Sequence, residues 1–82
     1  MILPKVIIYT VEGCYKCKQV TSYFDQKGIL YENVDVRAND KKRAREMIEK
    51  SGQKSVPVIE INGQIIVGYQ PDEFEKLILN NK

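Results

Sequence analysis

Asn62-Gly63 stands between two short apolar runs, Val58–Ile61 and Gln64–Val67, with no other residue separating them. A two-residue loop leaves no room for a crossover, so the two runs must pair antiparallel. Asn-Gly reaches the positive φ values of a type I′ turn at little steric cost, which fixes the register as well as the direction. The first half of the chain is constrained in the opposite sense. Val6–Thr10 is the near-continuous apolar run of a strand covered on both faces. Residues 29–35, leading into Val36, read as a second strand with β-branched Val34. Between them, residues 15–27 carry Val20, Tyr23 and Phe24 at core spacing, with Gly28 as the helix stop. A strand–helix–strand unit of this length forms a right-handed parallel crossover.

The remaining segments complete the pattern. Asn39-Asp40 is a helix-start signal, and residues 41–50 follow with Ala44, Met47 and Ile48 on one face before Ser51-Gly52 closes the helix. Pro71-Asp72-Glu73 place proline and acids where a first helical turn favours them, and Phe74, Leu77 and Ile78 supply an apolar face through Leu79. The expected order is β-α-β-α-β-β-α: an α/β fold with a four-stranded mixed sheet and helices on both faces. A single domain over residues 1–82 is expected, without linker, repeat or low-complexity segment.

Composition excludes several function classes. With 43% apolar and 29% charged residues the chain has the means to build a core, and its net charge of +2 is too weak to argue for nucleic acid or an anionic membrane. The basic run Lys41-Lys42-Arg43 with Arg45 is countered by Glu46 and Glu49 and lacks interleaved aromatics, so it reads as a solvated face. Met1-Ile2-Leu3-Pro4 is too short and too broken for a signal peptide, and no apolar run approaches the roughly 20 residues of a membrane span. A cytoplasmic location is the expectation. There is no histidine, which removes imidazole bases and ligands, and two cysteines alone do not supply the four ligands of a closed zinc site.

Those two cysteines stand together, separated by two residues. Cys14-Tyr15-Lys16-Cys17 lies where the first strand meets the first helix. The first sulfur falls at the helix N-terminus, where unpaired N–H groups and the helix dipole favour thiolate over thiol. The second lies one turn on, on the same face, within reach of a mixed disulfide formed on the first. This is the arrangement of dithiol–disulfide exchange, with Cys14 as nucleophile and Cys17 as resolving thiol. Lys16 stands beside the sulfurs as a modest electrostatic support for the thiolate.

Together with Ser55-Val56-Pro57-Val58, the Asn62-Gly63 hairpin and Val67-Gly68-Tyr69-Gln70-Pro71-Asp72, the cysteine motif makes nearly the whole chain resemble a dithiol glutaredoxin-like member of the thioredoxin fold. The resemblance implies a cis Val56-Pro57 bond facing the sulfurs, with the Val56 backbone open to pair with an extended substrate. It implies a disulfide reductase that needs no tightly bound cofactor and no metal, with glutathione as a co-substrate. It further places Tyr15, Gly68 and Tyr69 at the substrate surface. Asp72 falls where relatives meet the glutamyl end of glutathione, and Arg37 where they meet its carboxylate.

The chain also departs from typical glutaredoxins. Tyr15-Lys16 replaces a proline and an aromatic between the cysteines, and Val67-Gly68 replaces paired glycines. Gly68-Tyr69-Gln70-Pro71-Asp72 looks more like the small redoxins that reduce ribonucleotide reductase with electrons from thioredoxin reductase. The Ser51-Gly52-Gln53 and Val56-Pro57-Val58 pair is similar to short glutaredoxin-like proteins of bacteria and archaea. The expected partners are therefore disulfide-bearing proteins, ribonucleotide reductase among them, with glutathione or thioredoxin reductase as donor and a monomeric chain. Two alternatives use the same cysteines. One is an iron–sulfur carrier, against which Tyr15 argues. The other is a copper-binding module, whose β-α-β-β-α-β order and methionine before the first cysteine are absent here, where Glu12 holds that position.

Overall fold

A computed structural model describes residues 4–37 and 41–79. Its elements are β1 (Val6–Thr10), α1 (Tyr15–Gln26), β2 (Glu32–Asp35), α2 (Lys42–Ser51), β3 (Val58–Ile61), β4 (Gln64–Val67) and α3 (Pro71–Leu79), in the expected order. The strands lie in the order β2-β1-β3-β4. β1 runs parallel to β2, from Ile7 opposite Glu32 to Thr10 opposite Asp35, and antiparallel to β3. The β3–β4 pair turns through Asn62 at φ 51° and Gly63 at φ 87°, the two positive values a type I′ turn demands.

All five residues of β1 are buried, so this strand divides the interior into two layers. Val6 and Ile8 face α1 and α3, packing with Val20, Phe24 and Phe74. Ile7 and Tyr9 face α2, packing with Val34, Met47 and Val58. Period-2 alternation along one strand thus serves both faces. Phe24 and Phe74 meet with ring centroids 5.4 Å apart, and each buried ring contributes on the order of 1.5–3 kcal/mol of transfer free energy.

Element boundaries differ from the sequence expectation where backbone caps intervene. α1 ends one residue early, at Gln26, and Gly28 at φ 70° takes the left-handed position that follows. Gly28 donates to the Asp25 carbonyl at 3.1 Å and Ile29 to the Phe24 carbonyl at 3.0 Å, a Schellman closure. Ile29 is thereby committed to the helix end and packs against the core below it. This is why β2 starts at Glu32 rather than at residue 29. α2 is displaced by one residue at both ends, from 41–50 to Lys42–Ser51, and Gly52 caps it through a 2.7 Å bond to the Ile48 carbonyl. The Asn39-Asp40 start signal lies outside the described residues.

Polar ties fix α2 to the sheet. The buried Tyr9 hydroxyl donates to Glu46, while Lys50 Nζ donates to Tyr9 Oη at 3.0 Å and to Glu60 Oε1 at 2.6 Å. Arg43 bridges Glu32 on β2 at 3.3 Å and Glu46 at 3.5 Å. The Tyr9 hydroxyl, followed by Arg43 and Lys50, holds the Glu46 carboxyl below its ordinary range against a smaller opposing effect of burial. A carboxyl depressed in the folded state stabilises above its unfolded pKa and loses that contribution as pH falls through the folded value. Glu46→Gln is expected to cost about 1 kcal/mol at pH 7, discounted for the partly exposed carboxylate, with the difference shrinking as pH falls below the ordinary carboxylate range. Urea unfolding of both proteins at pH 7 and pH 3 checks this; an equal deficit at the two pH values would show that Glu46 acts by packing alone.

Candidate active site

The topology gathers one end of the sheet into a site. β1, β2 and β4 all run toward that end, and β3 starts from it. The segments that meet there are the ones after β1, β2 and β4 and the one before β3. Cys14, Arg37, Gly68-Tyr69 and Val56-Pro57 lie on these segments, scattered in sequence but drawn to a common edge. The order β2-β1-β3 also reverses chain direction beside β1, which is where open α/β sheets place their ligand crevice.

Cys14 is the N-cap of α1, with extended backbone angles, and its Sγ accepts the Cys17 N–H at 3.1 Å. The cap thus uses sulfur in the place of the usual side-chain oxygen. Cys14 and Cys17 are joined as a disulfide with Cα atoms 5.2 Å apart. Their environments are unequal. Cys14 is partly exposed, whereas Cys17 is 3% exposed under the first turn of the helix. The Cys14 sulfur is thus the more accessible of the two, and it lies at the N-terminal end of the helix, where backbone N–H groups converge. Among the described residues no group of three or more Cys, Asp or Glu is placed to hold a metal ion.

The other expected residues fall into three groups. Pro57 is buried and its bond to Val56 is cis, as the resemblance implied; Val56 is half-buried. The Gly68 N–H donates to the Pro57 carbonyl at 2.9 Å, which ties the end of β4 to the proline loop. Tyr15, 75% exposed, and Tyr69, 37% exposed, line one groove of about 350 Å³ together with Tyr23, Lys18 and Gln19. The Tyr69 ring lies 6.2 Å from Phe74, so it both packs on α3 and faces outward. Lys16 and Asp72 are exposed, the latter in the first turn of α3. Arg37 is exposed after β2, and its backbone N–H donates to Asp35 Oδ1 at 2.9 Å. Since β2 and β4 are the two edges of the sheet, Arg37 and Asp72 follow opposite edges rather than one pocket wall.

A second cleft, of about 280 Å³, was not foreseen. It lies on the β2 side of the sulfurs, with Cys14, Cys17, Glu12, Lys18, Asn33 and Asp35 in its wall. Thr10 at its floor is the buried polar residue of β1, and its hydroxyl donates to Asn33 Oδ1 at 2.7 Å. The signal was present as alternation. Asn33 and Asp35 share one face of β2, and Thr10 is the register partner of Asp35. It required the parallel register, which no local pattern states.

Comparison with known proteins agrees with this geometry. The glutaredoxin family model matches residues 6–66. A glutaredoxin-like 8.6 kDa protein in the rubredoxin operon of Clostridium pasteurianum is 44% identical, with 87% of this chain and 93% of that protein aligned. Glutaredoxin 3 of Escherichia coli is 36% identical over 80% of this chain and 78% of its own. Among solved structures, the glutaredoxin of Archaeoglobus fulgidus superposes with a TM-score of 0.83 at 24% identity, covering 90% of this chain and 85% of its own, a likeness of fold.

The unequal burial of the two sulfurs has a direct readout. In the reduced protein, iodoacetamide at pH 7 is expected to alkylate Cys14 at least about tenfold faster than Cys17. Peptide mapping by mass spectrometry after timed quenching measures the ratio, and equal rates would contradict the roles read from exposure.

Proposed function

We propose, on the premise that the chain belongs to the glutaredoxin family, that it reduces disulfides of protein substrates by a two-cysteine cycle. The observation that carries the reading is the N-cap placement of Cys14, with its sulfur accepting the Cys17 N–H and Cys17 buried beneath it. Cys14 thiolate attacks one sulfur of the substrate disulfide, forming a mixed disulfide and expelling the other sulfur as a thiolate that takes up a proton. Cys17, deprotonated as it attacks, displaces the second substrate sulfur from Cys14. The cycle leaves a Cys14–Cys17 disulfide and two reduced substrate thiols, with two electrons transferred. An external donor then reduces the pair.

Substrate contacts follow from the same edge of the fold. An extended segment pairs with the Val56 backbone beside Pro57, between Tyr15 and Tyr69 on one side and the sulfurs on the other. Lys16 adds a screened positive charge near the Cys14 thiolate. Arg37 and Asp72 are the groups that would meet the two ends of glutathione. Gly68-Tyr69-Gln70-Pro71-Asp72 supports thioredoxin reductase as the preferred donor and ribonucleotide reductase as a substrate. The chain acts as a monomeric, single-domain protein over residues 1–82, without a tightly bound cofactor, in the cytoplasm. Among the described residues no helix is long and apolar enough to cross a membrane.

Turnover of bis(2-hydroxyethyl) disulfide with two donors in parallel tests the proposal: glutathione with glutathione reductase, and thioredoxin reductase with NADPH. Thioredoxin reductase is expected to support turnover at least about tenfold faster, a difference of about 1.4 kcal/mol in barrier. Cys14→Ser is expected to abolish turnover, and Cys17→Ser to accumulate a mixed disulfide visible by intact mass. Full activity in Cys14→Ser overturns the mechanism, and faster turnover with glutathione overturns the donor.

A further inference from the structure

The turn between β4 and α3 is held at one peptide unit from both sides. The Gln70 side-chain amide, Nε2, donates to the Val67 carbonyl at 2.6 Å. Across the same peptide plane, the Gly68 N–H donates to the Pro57 carbonyl at 2.9 Å. A peptide unit bonded at both its oxygen and its N–H cannot rotate without breaking one of the two, and each bond polarises the other. Gly68 stands at φ 87°, an angle that glycine accepts but does not enforce. The orientation of the plane therefore relies on its two hydrogen bonds. Gln70 itself occupies the cap position of α3, since its backbone carbonyl accepts the Phe74 N–H at 3.1 Å. Ser, Thr, Asp and Asn are favoured at that position because their short side chains reach the helix N–H groups. The Gln70 side chain turns back to Val67 instead.

We propose that Gln70 is a positioning residue for protein substrates: by fixing the Val67–Gly68 peptide it fixes the Pro57 carbonyl, and through it the Val56 backbone. The proposal rests on the substrate path along Val56 put forward above and adds the group outside that path which sets its alignment. Pro57 is buried and Val56 half-buried, so the loop has one exposed side to offer an extended segment and one side to be held from. Gln70 lines neither cleft beside the cysteines. A small disulfide that needs only Cys14 therefore has no use for it. Without the Gln70 amide, the Val67–Gly68 plane is anchored at its N–H alone, and the Pro57 loop is less fixed before substrate arrives. An extended segment must then order that loop on binding, which weakens its affinity and leaves exchange at the sulfurs as it was.

The test is single-turnover oxidation of pre-reduced protein, followed by acid quench, alkylation and intact mass. Insulin serves as the protein disulfide and bis(2-hydroxyethyl) disulfide as the small one. Gln70→Met keeps the length of the side chain and removes the amide. Its half-saturating insulin concentration is expected to rise about two- to tenfold, the size of one net hydrogen bond, with the limiting rate retained. Gln70→Asn, whose amide is one methylene too short to span the turn, is expected to shift the same way. Hydrogen exchange of the Gly68 amide, followed by NMR relative to the central Ile8 amide, is expected to accelerate in both variants. A residue that only starts α3 would move the urea midpoint and leave insulin half-saturation alone. If the hydroxyethyl probe fails to oxidise the parent protein, the dithiol mechanism falls and the proposal with it. If the parent reacts with both probes and insulin half-saturation is the same in all three proteins, the positioning proposal falls while the mechanism stands. It falls equally if the hydroxyethyl rate drops by the same factor as the insulin reaction.

Discussion

β1 is the constraint on which the structure depends. Five consecutive buried residues form parallel pairs on one side and antiparallel pairs on the other. Its even residues anchor α1 and α3 and its odd residues anchor α2, so neither helical layer has a core without it. Because the strand is held on every side, the segment that leaves its C-terminal end is fixed in position as well. Cys14 caps the helix that begins there. The cysteine pair therefore sits just beyond the central strand, at the start of the helix that packs on it.

The two faces of the sheet are secured by different means. The α1/α3 layer is joined by aromatic contacts among Phe24, Phe74, Tyr23 and Tyr31. The α2 layer buries fewer large side chains and adds the Tyr9–Glu46–Lys50–Glu60 network at its margin. Lys50 is held more basic than usual by Glu60 and Tyr9, so the network stays charged across the physiological range. The division leaves the active-site edge free of structural ion pairs among the described residues. Charges there are Lys16 and Lys18 on the helix and Glu12 and Asp35 beside the cleft.

The site has two flanks of different character. Toward β3 lie the Val56-Pro57 backbone and, across α1, the groove of Tyr15 and Tyr69. Toward β2 lies a smaller cleft whose charged wall residues are Glu12, Asp35 and Lys18. Lys18 borders both. The cysteine pair thus lies between two clefts, one on the β2 side and one along α1.

Much of this was legible in the sequence because it is carried by local patterns. Asn62-Gly63 between apolar runs sets the hairpin, the Val6–Thr10 run marks the doubly covered strand, and Cys14-Tyr15-Lys16-Cys17 together with Val56-Pro57-Val58 and Gly68 carries the family resemblance. The caps were less visible. Nothing in residues 29–31 says that the Ile29 N–H will be spent on the end of α1, so β2 begins three residues late. What only tertiary structure decided is which distant residues share a wall. The Gly68–Pro57 hydrogen bond, the pairing of Tyr15 with Tyr69, the separation of Arg37 from Asp72 and the cleft of Thr10, Asn33 and Asp35 all follow from strand order and register. These are set by long-range pairing between strands far apart in sequence, and a one-residue change in register would turn Asn33 and Asp35 to the opposite face.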